Sequence, residues 1–212
     1  MTVAAHAEVH GQPAGQTPVR GIDDAERLRA SVYAFLANLL IRAPNASLLA
    51  EMAAWRGDET PFGQAVNRLA EACKTADPDA LGEEYEALFI GVGRGELLPY
   101  GSYYLTGFLN EKPLARLRKS LRALGVERDP SVKEPEDHIA ALMDVMAGLI
   151  LGSFSAPASL EKQKSFYSEH IESWAPYFFK DLEKAKTGTL YRHVGSVGRE
   201  FMEIETAAFA MA

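Results

Sequence analysis

Apolar residues recur every three or four positions along most of this chain, the spacing of one buried face on an α-helix. From Asp23 or Asp24 the inward set is Leu28, Val32, Phe35, Leu36, Leu39 and Leu40, and Pro44 ends the element because proline cannot continue a helix. Ser47 to Trp55 predicts a short helix. Thr60-Pro61 opens another, with Phe62, Val66, Leu69 and Cys73 on one face. Asp77-Pro78 restarts the chain toward Tyr85 and Leu88. Pro113 begins a helix with Leu114, Leu117, Leu121 and Leu124 inward, and Gly125 fits a left-handed C-terminal cap. The next run turns Ile139, Leu142, Met143, Met146, Leu149 and Ile150 inward. Pro157 to Ile171 follows, then a helix from Trp174-Ala175-Pro176 through Phe178, Phe179 and Leu182. After a break at Lys186 to Thr189, Tyr191 to Phe209 closes the chain, with Val194, Val197, Phe201 and Ile204 apolar. Gly195 and Gly198 weaken that last helix locally but permit close packing against a neighbour.

The pattern breaks between Phe89 and Gly107, which holds Gly91, Gly93, Gly95, Gly101, Gly107 and Pro99. No helix is expected there, since each internal glycine costs up to about 1 kcal/mol. Leu97, Leu98, Tyr100, Tyr103, Tyr104 and Leu105 lie in the same stretch. A loop both glycine-rich and aromatic reads as ordered and functional. No alternating strand pattern and no internal repeat stand out. The expectation is an all-α, single-domain bundle of about ten helices with antiparallel neighbours, interrupted by this long ordered loop. Residues 89–107 are a candidate hinge, which would allow a monomer or a domain-swapped dimer. Residues 1–21, rich in Ala, Gly, Pro, Gln and His, read as a flexible tail. The helical domain is then 22–212.

Composition narrows the class. Of 212 residues, 47% are hydrophobic and 24% charged, ordinary values for a soluble globular protein. No run approaches the roughly 18 apolar residues of a membrane span. A net charge of −7 argues against nucleic acid and admits cationic partners. The one cysteine, Cys73, excludes an internal disulfide and fits a reducing compartment.

Chemistry concentrates at Glu134-Pro135-Glu136-Asp137-His138. One reading is a plain helix start, with Glu134 capping, Pro135 at the first helical position, and Glu136 and Asp137 complementing the dipole. The other is that these acids and His138 face a groove and recognise a cation. The Gly91-Val92-Gly93-Arg94-Gly95 cluster has neither dinucleotide nor phosphate-loop spacing. Arg116, Arg118, Lys119 and Arg122 read as a solvated helix face. Glu134, His138, Glu169, His170, Glu172 and His193 lack the repeated Glu-x-x-His of a bundle metal site. There is no Gly-x-Ser-x-Gly, and Ser102 has no base beside it. No catalytic residue, metal or cofactor is expected. What remains is a binding surface: aromatic side chains forming a trough, with acids beside it. Arginine suits such acids because its planar fork pairs with carboxylates through two hydrogen bonds.

Four stretches together resemble the TorD/DmsD/NarJ family of cytoplasmic molybdoenzyme chaperones, also called redox enzyme maturation proteins. They are Glu84-Tyr85-Glu86-Ala87-Leu88-Phe89-Ile90-Gly91, Pro99-Tyr100-Gly101-Ser102-Tyr103-Tyr104, the Glu134–His138 motif, and the C-terminal Phe166, His170, Trp174, Phe178-Phe179, Phe201 and Glu205. The resemblance implies an all-α fold, no catalysis and a cytoplasmic location. It implies binding of the twin-arginine signal peptide and apo catalytic subunit of a dimethyl sulfoxide or trimethylamine N-oxide reductase, formate dehydrogenase or nitrate reductase. The implied peptide-binding residues are Tyr100, Ser102, Tyr103, Tyr104, Glu134, Glu136, Asp137 and His138. The alternatives are an unrelated helical scaffold, with that motif as a plain helix start, and a carboxylate and histidine metalloenzyme.

Overall fold

Polar side chains write the starts of the first four helices. Asp23 accepts the Glu26 N–H and opens α1 (Asp24–Ile41). Asn45 does the same for α2 (Ala46–Ala53), Thr60 for α3 (Pro61–Cys73) and Asp77 for α4 (Pro78–Tyr85). Each cap satisfies a backbone donor that the helix leaves unpaired, at about 1 kcal/mol apiece. The structure is a computed structural model describing residues 21–128 and 132–212. The expected tail lies outside the described residues, except Gly21. The remaining helices are α5 (Gly101–Thr106), α6 (Lys112–Ala123), α7 (Ile139–Leu151), α8 (Leu160–His170), α9 (Ala175–Glu183) and α10 (Leu190–Met211). No strand forms among the described residues. None of their helices is long and apolar enough to cross a membrane.

α1 lies along α7, and α10 lies along α9 and α3. Trp174, Tyr33, Tyr167, Tyr191, Phe178 and Phe179 are fully buried in the shared core. Polar groups inside it are paired. Glu205, completely buried, accepts from Arg29 Nε and Nη2, both at 2.7 Å, and from the Tyr33 hydroxyl at 2.8 Å. That ties α1 to α10. The glycines of α10 do allow close packing. A Cβ at Gly198 would stand 2.1 Å from the Phe179 ring, and one at Gly195 would stand 2.4 Å from the Glu183 nitrogen.

Three expectations fail. Leu28 is 68% exposed and Ile204 47% exposed. The buried stripes run instead through Ala30, Tyr33, Ala37 and Leu40 on α1, and through Phe201, Met202, Glu205 and Phe209 on α10. Each misplaced residue sits just beside its stripe. The stretch 89–107 is also not free of helix. α4 runs into a π-helical turn, Glu86–Ile90, and α5 forms further on. Tertiary contacts override the glycine cost there. The Gly101 N–H donates to the Asp137 carbonyl at 2.9 Å, and a Cβ at Gly101 would press within 3.1 Å of the Trp174 indole.

The stretch between them is tied down. Leu97 N–H donates to the Leu88 carbonyl at 2.8 Å. Glu96 accepts from the Lys186 N–H at 2.6 Å, the Thr187 N–H at 3.0 Å and the Thr187 hydroxyl at 2.6 Å. Buried Glu84 accepts the N–H groups of Thr189, Leu190 and Tyr191, supplying the cap that α10 lacks in its own sequence.

Candidate functional site

The two motifs that stood apart in sequence meet in space. Residues 134–138 lie antiparallel to the start of α5, bridged at Tyr100 and His138. Ile139 N–H donates to the Pro99 carbonyl at 2.8 Å, returning the Gly101 bond. This pairing draws the segment out of helical geometry, so Pro135 is not the first helical residue and Glu134 is not the cap. The cap of α7 is His138, whose Nδ1 accepts the Ala140 N–H at 3.1 Å. Asp137 sits at the start of α5 instead, where its Oδ2 accepts the Ser102 N–H at 2.7 Å.

The expected site residues fall into several groups. Tyr100, Glu134 and His138 form one. The Tyr100 hydroxyl donates to Glu134, and its ring meets the His138 ring edge-on at 5.2 Å. Burial, then the Glu134 carboxylate, push the Tyr100 hydroxyl pKa well up, so it stays a donor. Burial pushes the His138 imidazole down to about 4, with Glu134 partly opposing, so it is neutral near pH 7. Ser102 and Asp137 form a second, buried group. Glu136 pairs with Arg118, whose Nε and Nη2 reach one carboxylate oxygen at 3.0 and 2.8 Å. Burial pushes the Glu136 carboxyl up, but the Arg118 hydrogen bond and charge outweigh it and hold it low. One residue of the supposedly solvated basic face therefore braces the motif.

Tyr103 and Tyr104 point away from these acids. Arg94 donates to the Tyr103 hydroxyl at 2.6 Å and lies 5.3 Å from its ring centre. Tyr104 donates to Asp181 at 3.1 Å and leans on Trp174 at 5.5 Å. They do not share a single trough with Glu134.

A trough exists beside Glu134 nonetheless, built from α1 and α7, whose apolar spacing predicted only a core. A groove of about 430 Å³ opens between α1, α7 and residues 126–128 and 132–138. Ala37, Ile41, Val126, Val145 and Leu151 supply apolar walls, Glu127, Glu134, Glu136 and Asp144 supply carboxylates, and Arg42 and Arg128 also line it. Asp144 had a legible signal, as the one charged residue of α7. It makes no hydrogen bond or ion pair with the described residues, and burial raises its carboxyl pKa. Among the described residues no three His, Cys, Asp or Glu side chains gather as metal ligands.

The described residues form an all-helical fold that opens a groove with apolar walls and a charged rim. Comparison with known proteins makes this specific. Residues 56–180 match the family described as the nitrate reductase delta subunit. The chain is 30% identical over 158 residues to the chaperone protein TorD of Vibrio cholerae, covering 69% of this chain and 72% of that one. It is 30% identical over 208 residues to TorD of Aliivibrio fischeri, covering 86% and 94%. A crystal structure of an Archaeoglobus fulgidus protein assigned to redox enzyme maturation superposes with a TM-score of 0.53 at 21% identity, over 83% of this chain and 94% of that one; it supports the fold. The chain belongs to the family of TorD chaperones and nitrate reductase delta subunits, the redox enzyme maturation proteins that its motifs resemble.

Proposed function

We propose that this protein is a non-catalytic, cytoplasmic chaperone for a molybdopterin oxidoreductase. It binds the twin-arginine signal peptide of the catalytic subunit, and the apoprotein with it, until the cofactor is in place and export can begin. Family membership supports the chaperone role. The observation that carries peptide binding is the groove between α1 and α7. Its apolar walls suit the hydrophobic stretch of a leader. Its carboxylates, Glu134 and Asp144 foremost, suit the arginines that precede such a stretch. Tyr100 and His138 hold Glu134 at the rim. Ser102 and Asp137 anchor the same segment from behind, and Tyr103 and Tyr104 brace α5 on its outer side.

Calorimetry with a synthetic leader of the client tests this. Replacing both leader arginines by lysine should weaken binding at least tenfold. Asp144→Asn and Glu134→Gln should each weaken it severalfold, and raising salt should weaken it further, because exposed charge pairs are screened. Affinity indifferent to all of these changes would overturn the assignment.

A further inference from the structure

The outer face of α6 is a stripe of cations in an acidic protein. From Lys112 to Arg122 the chain holds Lys112, Arg116, Arg118, Lys119 and Arg122 and no aspartate or glutamate, although the net charge of the whole is −7. Leu114, Leu117 and Leu121 are the buried side of the helix. Lys112, Arg116 and Lys119, spaced by four and then three residues, fall on the opposite side and are exposed, with Arg122 a turn beyond. Arg118 is drawn off to Glu136. The other four cations make no hydrogen bond or ion pair with the described residues.

Apolar surface adjoins this stripe. The turn from α5 to α6 leaves Phe108 70%, Leu109 42% and Leu105 40% exposed. Leu105 and Arg116 line one small cavity with Asp137, so the end of α5 and the first turns of α6 lie side by side and present a single surface. The acids beside it are Glu111, just ahead of α6, and Glu169 of α8, which lines the same cavity and lies 3.6 Å from the His170 imidazole. Against Lys112, Arg116, Lys119 and Arg122 they leave the patch positive.

Free cations beside large apolar side chains held in water suit a surface that is anionic and apolar at once. An anionic bilayer is both: its headgroups attract Lys and Arg, and its interfacial layer accepts Phe and Leu. Nucleic acid would take the cations but has no apolar layer for Phe108 and Leu109. An acidic polypeptide would need a fitted pocket for them, and a bilayer needs none. The rest of the protein is acidic, but its repulsion is screened beyond about 8 Å at physiological salt, so the patch decides which face approaches. None of the described helices can cross a membrane, so the association is peripheral.

We propose that α6 and the turn before it form a membrane-docking face, with Lys112, Arg116, Lys119 and Arg122 on anionic phospholipid headgroups and Phe108 and Leu109 in the interfacial layer. The α1–α7 groove meets α6 from its other side, through Leu121, and stays open to a leader. Docking does not depend on what the groove holds; its use in delivering a client for export rests on the chaperone reading.

Co-flotation of the full chain with vesicles of equal parts phosphatidylcholine and phosphatidylglycerol, and with vesicles of phosphatidylcholine alone, tests this. Binding to the anionic vesicles should be at least tenfold stronger and should fall as salt is raised. The triple variant Lys112→Gln, Arg116→Gln, Lys119→Gln should lose at least tenfold of that binding, since each basic side chain near an anionic surface is worth about fivefold. Those side chains are exposed and unpaired, so the fold should persist, which circular dichroism checks. Phe108→Ser should weaken binding severalfold, and Phe108→Trp should gain a fluorescence signal quenched by brominated lipid. Glu134→Gln and Asp144→Asn, in the groove, should leave vesicle binding unchanged, and the triple variant should leave leader affinity unchanged, so the two readings fail separately. Equal binding to both vesicles, binding to neither, or full retention by the triple variant would overturn the proposal. Capture by polyglutamate without binding to vesicles would overturn it too, and would assign the face to an acidic polypeptide.

Discussion

Protonating His138 should loosen the segment that carries the site. The ring is 5% exposed, and its Nδ1 accepts the Ala140 N–H at 3.1 Å, which only an unprotonated nitrogen can do. Burial pushes the folded-state pKa from 6.5 down to about 4, with Glu134 as a partial counterweight. The unfolded chain therefore takes up a proton that the folded chain refuses between those two values. Stability from the neutral ring is fully present above about pH 6.5 and is lost as pH falls toward 4. A difference of roughly 2.5 pK units at about 1.4 kcal/mol each makes the loss about 3 kcal/mol. Urea unfolding followed by circular dichroism at pH 7, 6, 5 and 4, on the native protein and on His138→Asn, measures it. Asparagine accepts an N–H at a helix start about as well as the best caps, but it does not titrate. The native protein should be the more stable at pH 7, and its advantage should shrink by about 3 kcal/mol by pH 4. The other histidines and the carboxylates act in both proteins and cancel. A stability difference that stays constant to within about 0.5 kcal/mol across the range would refute the assignment of a buried, neutral, capping imidazole.

Four further outcomes follow from the contacts. Glu205→Gln should cost about 3 kcal/mol in urea unfolding, because it leaves the Arg29 charge without its buried partner and weakens the Tyr33 bond. Gly198→Ala should cost about 1–3 kcal/mol, since the new methyl would collide with the Phe179 ring. Gly82→Ala, in α4 with nothing within 4 Å of the added carbon, should instead stabilise by about 0.5–1 kcal/mol, so thermal melts of the two variants should move in opposite directions. Tyr100→Phe should cost about 1 kcal/mol through loss of the Glu134 bond and, by freeing Glu134 at the groove rim, should change leader affinity measured by calorimetry.

The helices were legible in the sequence because their signals are local. Asp23, Thr60 and Asp77 cap where a cap residue precedes a periodic apolar run, and Gly125 takes a positive φ of 71° where the run of α6 ends. The all-α class follows from those signals, and the motifs at 99–104 and 134–138 marked where chemistry gathers. Only the tertiary structure decided how the motifs are used. Backbone pairing between Tyr100 and His138 turns the acidic segment into a strap rather than a helix start. A turn at residues 136 and 137, closed by the His138 N–H on the Pro135 carbonyl at 3.1 Å, precedes the bridged His138, and Asp137 and His138 line different cavities, a division that helical spacing could not suggest. The same long-range contacts stabilise α5 in a glycine-rich stretch that would not hold a helix alone, and they make Asp144, a single charge in an apolar run, part of a groove wall. Periodicity and caps depend on neighbours within one turn. The facing of a side chain outside a helix depends on what the fold brings against it from thirty or more residues away.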